Sequence, residues 1–371
     1  MGLINIIKIF LGRWGILENK EKLLKLRREI DNIDNQIIDL LKKRMEISRN
    51  IGLIKWCHRL PINDKSRERY IYNKYGDFKE ICESILIESR RVQERVFISE
   101  ALKSIPKKNI SIIGYGYMGK LFARLFSMRH NVCVYDINRE KLRGILEKYY
   151  VAENIKDAVL FGDIIFISVT ISDTKGVLKR ISELLKNSRK RRLVTDIATI
   201  KHDIIDVYKL FPGNVNTCSI HPLFGGNIRD YFNKKIIIIP IKGGLKGIGP
   251  LIQILKPYGF KIILSNYKTH DEMIAKTIIA PYILGLLYCK LILNNMNSVE
   301  DYGGSSYQYF KNYIQNILLT DSPEFIYYLL TNRYGRSTIN EILNIVNSLK
   351  ESDFNDIKNL RDKLLHYIKI K

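Results

Sequence analysis

Between Leu26 and Ile54 apolar residues recur at helical spacing: Leu26, Ile30, Ile33, Ile37, Leu40, Leu41, Ile47, Ile51 and Ile54. Such spacing lays them along one stripe of an amphipathic α-helix of about 35 residues. Pro61 breaks that helix, and two shorter helical stretches follow, roughly Lys65 to Tyr75 and Phe78 to Ala101. Two short neighbours cannot cover a stripe of this length, so an intertwined dimer is the expected solution.

Pro106 marks a change of texture. Short apolar runs now alternate with helical stretches: Asn109 to Ile113, Asn131 to Tyr135, Asp163 to Val169, Arg192 to Asp196, Val215 to Ser219, Ile236 to Pro240 and Lys261 to Leu264. Alternation of this kind predicts a doubly wound, mostly parallel α/β sheet. From Thr269 onward the pattern is helical again. The organisation expected is therefore an extension over 1–19, an all-α domain over 20–104, a Rossmann-type α/β domain over 106–266 and an all-α domain over 267–371.

The formal net charge is +23. Nucleic-acid binding is one reading of such a charge. The cations are spread along the whole chain, however, without zinc-finger spacing or an RNP-like strand, so an enzyme for anionic metabolites is the better expectation. Five cysteines without a C-x-x-C pair argue against disulfides or a metal site and fit a reducing cytoplasm. Residues 1–17 are apolar but broken by Lys8 and Arg13, too short and too charged for a spanning helix. No membrane or metal is expected.

The run Gly114-Tyr-Gly116-Tyr117-Met118-Gly119 follows a predicted strand and opens a helix. Gly114 allows a tight turn, Gly116 lets backbone approach a pyrophosphate, and Gly119 lets helix and strand pack closely. The helix N-terminus offers free N–H groups to the phosphates. Asp136 ends the second strand, placed to accept hydrogen bonds from the adenosine ribose hydroxyls and to repel a 2′-phosphate. NAD is the expected cofactor, although Arg139 and Lys141 lie close by.

Two further runs, Thr195 to Lys201 and Ser219 to Gly226, fall just past predicted strand ends, where open α/β sheets bind ligands. His221 lies in the second, in what reads as a loop, and is the candidate general base. An ordinary histidine pKa of ~6.5 is expected for it. Gly114 to Gly119, Asp136, Asp196-x-x-Thr199-x-Lys201 and His221-Pro-Leu-Phe-Gly225 together resemble prephenate dehydrogenase, and the resemblance includes His270-Asp271. It implies oxidative decarboxylation of prephenate, with His221 acting at the substrate hydroxyl, Thr199 assisting at that hydroxyl or at the nicotinamide end, and a C-terminal helical dimerisation domain. The chain departs from the family's pattern at Asn227, Tyr282 and Tyr309, which leaves Lys311 as the cation nearest the expected carboxylate position.

In the first domain, Arg44 and Lys55 fall within about 20° on the long helix, about 16 Å apart. Arg27 points roughly 80° away from Lys55, better directed at a partner chain. Asp64, Arg67 and Glu68 share one face of the second helix, and Ser89 and Gln93 one face of the third. So polar an inward face suits a binding site better than a core. With Leu26 to Ile30 and Asp34, these residues resemble the all-helical chorismate mutases. That resemblance implies Arg27 of the partner and Arg44 on the carboxylates of chorismate, supported by Ser89. Lys55 and Gln93 would address the ether oxygen, and Asp64 and Glu68 the ring hydroxyl, with Arg67 orienting them.

The two resemblances imply one bifunctional enzyme of tyrosine biosynthesis, a homodimer through both helical domains, acting on chorismate and prephenate. An arogenate dehydrogenase fused to a mutase, or a non-catalytic NAD-binding regulator with a helical dimeriser, are the alternatives.

Overall fold

The computed structural model describes the backbone of residues 2–228 and 230–370, and the side chains of 19–228 and 230–368. The chain divides into two compact units: Met1–Pro106 with Arg229–Asn233 and Leu255–Phe260, and the remainder.

The first unit is helical. Helix α1 spans Gly2–Cys57, about 84 Å at 1.5 Å per residue. It takes in the segment expected to be a separate extension, whose side-chain packing lies outside the described residues. Helix α2, Lys65–Lys74, starts from Asp64, whose carboxylate accepts from the Arg67 N–H. Helix α3, Lys79–Lys103, packs along the C-terminal part of α1. The α1 face turned toward it carries Leu41, Arg44, Met45, Ser48, Gly52 and Lys55, all half-buried or buried. A Cβ on Gly52 would lie 3.1 Å from the Gln93 Cα, so any larger residue there would press the two helices apart by a few tenths of an ångström. Edge-to-face packing of Trp56 on Phe97, centroids 5.4 Å apart, closes the end of the helix pair. The apolar stripe stays open instead: Leu26, Ile30, Ile33, Ile37, Leu40, Ile47, Ile51 and Ile54 are all exposed within the chain.

The second unit is built on an eight-stranded sheet: β1 Asn109–Ile113, β2 Asn131–Tyr135, β3 Tyr150–Val151, β4 Ile164–Ile167, β5 Arg192–Asp196, β6 Val215–Pro222, β7 Lys235–Lys242 and β8 Lys261–Leu264. The order is β3-β2-β1-β4-β5-β6-β7-β8, parallel except for the β6–β7 pair. Strand β3 has only two residues, too few to show any periodicity. Strand β6 runs three residues beyond the expected Ser219, because antiparallel pairing with β7 continues through His221↔Ile237 and Pro222↔Ile236. Pro222 ends the strand, where a missing N–H costs little. Helices α4 (Tyr117–Ser127), α5 (Ile155–Phe161) and α6 (Ile171–Leu185) follow β1, β3 and β4, and α7 (Gly244–Leu255) follows β7. The central strands are buried along most of their length.

Helices α8 (Tyr267–Ile274), α9 (Ala280–Ile292), α10 (Met296–Tyr302), α11 (Ser305–Tyr313), α12 (Pro323–Thr331), α13 (Arg333–Glu351) and α14 (Phe354–Ile370) complete this unit. A second apolar cluster joins them to the loop after β5, with Ile200, Ile274, Ile279, Tyr282, Ile283, Leu318 and Leu329 buried together. Within Tyr267–Tyr302 an 18-residue window reaches a mean hydropathy of 1.6, and by length and composition alone the stretch passes as a membrane span.

Candidate active sites

In the helical unit the structure brings together most of the polar residues singled out. Arg44 Nη1 donates to the Ser89 hydroxyl, which donates in turn to the Ile85 carbonyl at 2.9 Å. Burial holds the Arg44 pKa below the usual guanidinium value. Lys55 Nζ donates to the Ile62 carbonyl at 2.7 Å, which uses one of its three N–H groups and leaves two for a ligand. Gln93 is buried and its Oε1 has no hydrogen-bond partner. An orphaned amide there costs stability unless something binds it. Glu68 is paired with Arg90.

Two placements differ from expectation. Asp64 is not on a helical face: it caps α2, held by Ser66 Oγ at 2.6 Å and the Arg67 N–H at 3.0 Å, because a carboxylate preceding a helix satisfies its free N–H groups. The Arg67 guanidinium lies 4.9 Å over the Tyr70 ring, and Arg90 takes the acidic partner that the resemblance had assigned to Arg67. Arg27 is exposed on the open part of α1.

In the second unit the glycine run forms the turn between β1 and α4. Gly114 has φ 97°, and a Cβ there would lie 2.3 Å from the Ser168 carbonyl oxygen. Around Gly116 a Cβ would meet nothing within 4 Å. Gly116 caps α4 without a side-chain partner, so the first N–H groups of that helix face an open approach. This is a cradle that fits a pyrophosphate. Tyr117 is exposed, Met118 half-buried and Gly119 packed against the Gly114 carbonyl. The second motif closes on the first: a Cβ on Gly226 would lie 2.5 Å from the Tyr117 backbone.

Asp136 is buried and braces the turn, accepting from the Tyr115 N–H at 2.7 Å and the Asn138 N–H at 2.8 Å. Arg139 is committed to the Ala152 and Glu153 carbonyls. Lys141, 3.5 Å from Asp136, is therefore the nearby cation that shares this carboxylate.

His221 lies within β6 rather than in a loop, and it is not alone. Its Nδ1 is 3.0 Å from His270 Nε2, and His270 Nδ1 is 2.7 Å from Asp271 Oδ1. The Asp271 carboxylate also accepts the backbone N–H groups of Lys201 and His202 at 2.8–3.1 Å. Lys201 is fully buried, its Nζ on the Ala198 and Ile220 carbonyls and 3.6 Å from Asp196. It thereby ties the Thr199 loop to β6, beside His221, and Thr199 itself is half-buried. The expectation of an ordinary pKa for His221 is corrected. Burial first, then the Lys201 charge and His270, push it well below the usual histidine value. The spacing of 49 residues between His221 and His270 carries no local signal; only the adjacent His-Asp pair hinted at a second group.

Lys311 is bound to Glu300. Tyr282 Oη donates to Asp321, with burial and that carboxylate pushing the phenol pKa far up.

The sequence model of "Chorismate mutase type II" matches residues 26–94. Over 93 residues the chain is 31% identical to the chorismate mutase of Methanocaldococcus jannaschii, covering 22% of this chain and 91% of that one. The chain belongs to the chorismate mutase type II family. That mutase segment is joined to a second region: residues 109–199 match "NADP oxidoreductase coenzyme F420-dependent". A T-protein of Haemophilus influenzae is 27% identical over 265 residues, 68% of this chain and 65% of the relative. This chain thus spans about two thirds of that T-protein's length. A prephenate dehydrogenase from A. aeolicus, solved with hydroxyphenyl propionate and NAD+, shares the fold with a TM-score of 0.60 at 18% identity, over 72% of this chain and 100% of that one.

Proposed function

We propose that this chain is a bifunctional enzyme of tyrosine biosynthesis, which rearranges chorismate to prephenate and then oxidatively decarboxylates prephenate to 4-hydroxyphenylpyruvate. The observation that carries the reading is one chain joining a half-buried Arg44–Ser89 pair, Lys55 and an unpartnered buried Gln93 to a dinucleotide turn with a neutral buried histidine. The first product is the second substrate.

The mutase reaction is unimolecular and needs no nucleophile. The site need only hold the reactive conformer and stabilise negative charge on the breaking ether oxygen. Arg44, supported by Ser89, grips a carboxylate. Lys55 and Gln93 meet the ether oxygen, and Asp64, Arg67 and Glu68 line the ring-hydroxyl side. Arg27 comes from the partner subunit, which a dimer sealing the open stripe of α1 would supply. The C-terminal helices form the second dimer interface: Leu284, Leu287 and Leu291 are exposed at i, i+3 and i+7 of α9. We assign the apolar character of Tyr267–Tyr302 to this interface and not to a membrane, and place the enzyme in the cytoplasm, with domains at 20–104, 106–266 and 267–371.

For the dehydrogenase, Gly114 to Gly119 would hold the pyrophosphate and Asp136 the ribose diol. NAD is preferred over NADP by at least about tenfold, or ~1.4 kcal/mol, since Arg139 is already engaged. When bound, NAD supplies the hydride acceptor. His221, neutral through burial, accepts the substrate hydroxyl's hydrogen bond as that oxygen becomes carbonyl-like. The proton returns when loss of the carboxylate aromatises the ring. Thr199 stands at the same hydroxyl.

Purified protein given chorismate and NAD, with NADH followed by absorbance, tests both activities together. NADH formed from chorismate alone is the expected result. NADH from prephenate but not from chorismate would remove the mutase, and none from either would favour the non-catalytic regulator.

A further inference from the structure

The chain His221–His270–Asp271 has a direction, and that direction decides which nitrogen of His221 is available to a substrate. Asp271 is fully buried, and both its oxygens already accept backbone N–H groups from Lys201 and His202. An ionised carboxylate only accepts, so the approach of His270 to 2.7 Å requires a proton on His270 Nδ1. Burial and the Lys201 charge keep His270 neutral against the pull of Asp271. A neutral imidazole carries one proton, so His270 Nε2 is a bare acceptor. Across the 3.0 Å separation, His221 Nδ1 must then donate, and its own single proton is committed there.

We infer that His270 and Asp271 are positioning residues that hold His221 in its Nδ1–H tautomer, leaving Nε2 as the acceptor for the substrate hydroxyl. The two groups do not touch the reacting atoms; they fix a proton one ring away. The anchoring is rigid at both ends. Asp271 is fastened to the Lys201–His202 backbone, and the Lys201 ammonium is fastened to Ile220, the residue before His221. One residue run therefore holds the far end of the relay and the strand that carries the base. This inference rests on the reading of His221 as the group that accepts the hydroxyl proton.

Asp271→Asn tests the direction. The backbone N–H groups of Lys201 and His202 need an oxygen, so the amide NH2 would turn to His270. His270 would then accept at Nδ1 and donate from Nε2, and His221 would be left protonated at Nε2, unable to accept. The expected loss in dehydrogenase kcat is roughly 10²–10⁴-fold, the upper end being about the loss that a comparable tautomer reversal causes in a serine protease, with NAD binding and mutase activity unchanged.

Nitrogen NMR of histidine-labelled full-length protein, with His221→Asn and His270→Asn used to assign the signals, reads the tautomer directly. The wild type should show His221 with a bare Nε2, and Asp271→Asn should show it protonated. A wild-type His221 protonated at Nε2 would overturn the inference even if the variant failed to fold. Loss of kcat in Asp271→Asn with the His221 tautomer unchanged would also overturn it, reducing Asp271 to a structural anchor. A reversed tautomer with undiminished kcat would uphold the relay and remove His221 from the role of proton acceptor, so the two failures are distinguishable.

Discussion

In the helical unit, α1 presents Arg44, Ser48, Gly52 and Lys55 to α3 and leaves its isoleucines and leucines outside. In the sheet unit the pattern is the usual one: Ile110, Ile112, Ile165, Phe166 and Val194 are fully covered. The sheet unit completes its core within one chain, with charged groups such as Lys201 and Asp271 admitted only as a satisfied network. The helical unit uses its interior for a polar site and must find its apolar neighbours elsewhere. At about 25 cal/mol per Å² of apolar surface, the eight open stripe residues are a large unused term, and a second copy of α1 is the natural cover. The difference is that the sheet is covered within one chain, whereas the stripe of α1 is not and would be covered only in the proposed dimer.

The sharpest test of the self-contained half is His221→Asn. Dehydrogenase kcat should fall by roughly 10²–10⁴, the contribution of a positioned base, with mutase activity intact. Because burial lowers the His221 pKa well below its ordinary value, the acid limb of the wild-type profile should lie below the usual histidine range. A limb near pH ~6.5 would mean that the site is wetter than its geometry.

The associating half should fail differently. Ile37→Asp places a carboxylate in the middle of the open stripe. An uncompensated buried charge costs roughly 3–5 kcal/mol, about 10²–10⁴-fold in affinity between copies. Cross-linking between copies of α1 should show that the helical domains no longer associate, even where the C-terminal helices still hold the two chains together. Mutase activity should fall in parallel, because Arg27 then cannot reach a partner's site. An undisturbed oligomer with full mutase activity would break the comparison.

Lys55→Ala should lower mutase kcat by about 10²–10³-fold, the effect of removing one charge-stabilising donor, while prephenate oxidation is spared. An equal loss in both assays would show that the two halves are not separable.

The smallest effect is on stability and has opposite signs in the two units. Glu94 in α3 is pushed up to about 7, first by burial and then by Asp230. Its contribution is present below the unfolded value of 4.5 and lost as pH rises through 7. His130 is lowered to about 4 by burial, so its contribution is present above the unfolded 6.5 and lost as pH falls toward 4. Discounted for solvent screening of these half-buried groups, each is worth about 1–3 kcal/mol. Both tryptophans, Trp14 and Trp56, belong to the helical unit, so denaturant midpoints read by tryptophan fluorescence should fall from about pH 5 to about pH 8. Glu94→Gln should flatten that slope.

Periodicity was enough for much of the frame. Strands β1, β2, β5 and β8 have the bounds that their apolar runs imply, because a short run of β-favouring apolar residues is a local signal. The glycine turn was equally legible, since Gly114 needs its positive φ whatever surrounds it. Arg44, Ser89, Lys55 and Gln93 could be grouped because helical geometry converts spacing into a common face. Tertiary structure decided what spacing does not encode. Asp64 went to the cap of α2 because free N–H groups at a helix start hold a carboxylate more firmly than a place on the helix face. Glu68 found Arg90 on another helix, 22 residues away. His221 was drawn into β6 by antiparallel pairing and buried against His270. Its proton inventory, and hence its chemistry, depends on that burial and on a carboxylate about 50 positions along the chain, quantities that exist only once the sheet and α8 have packed.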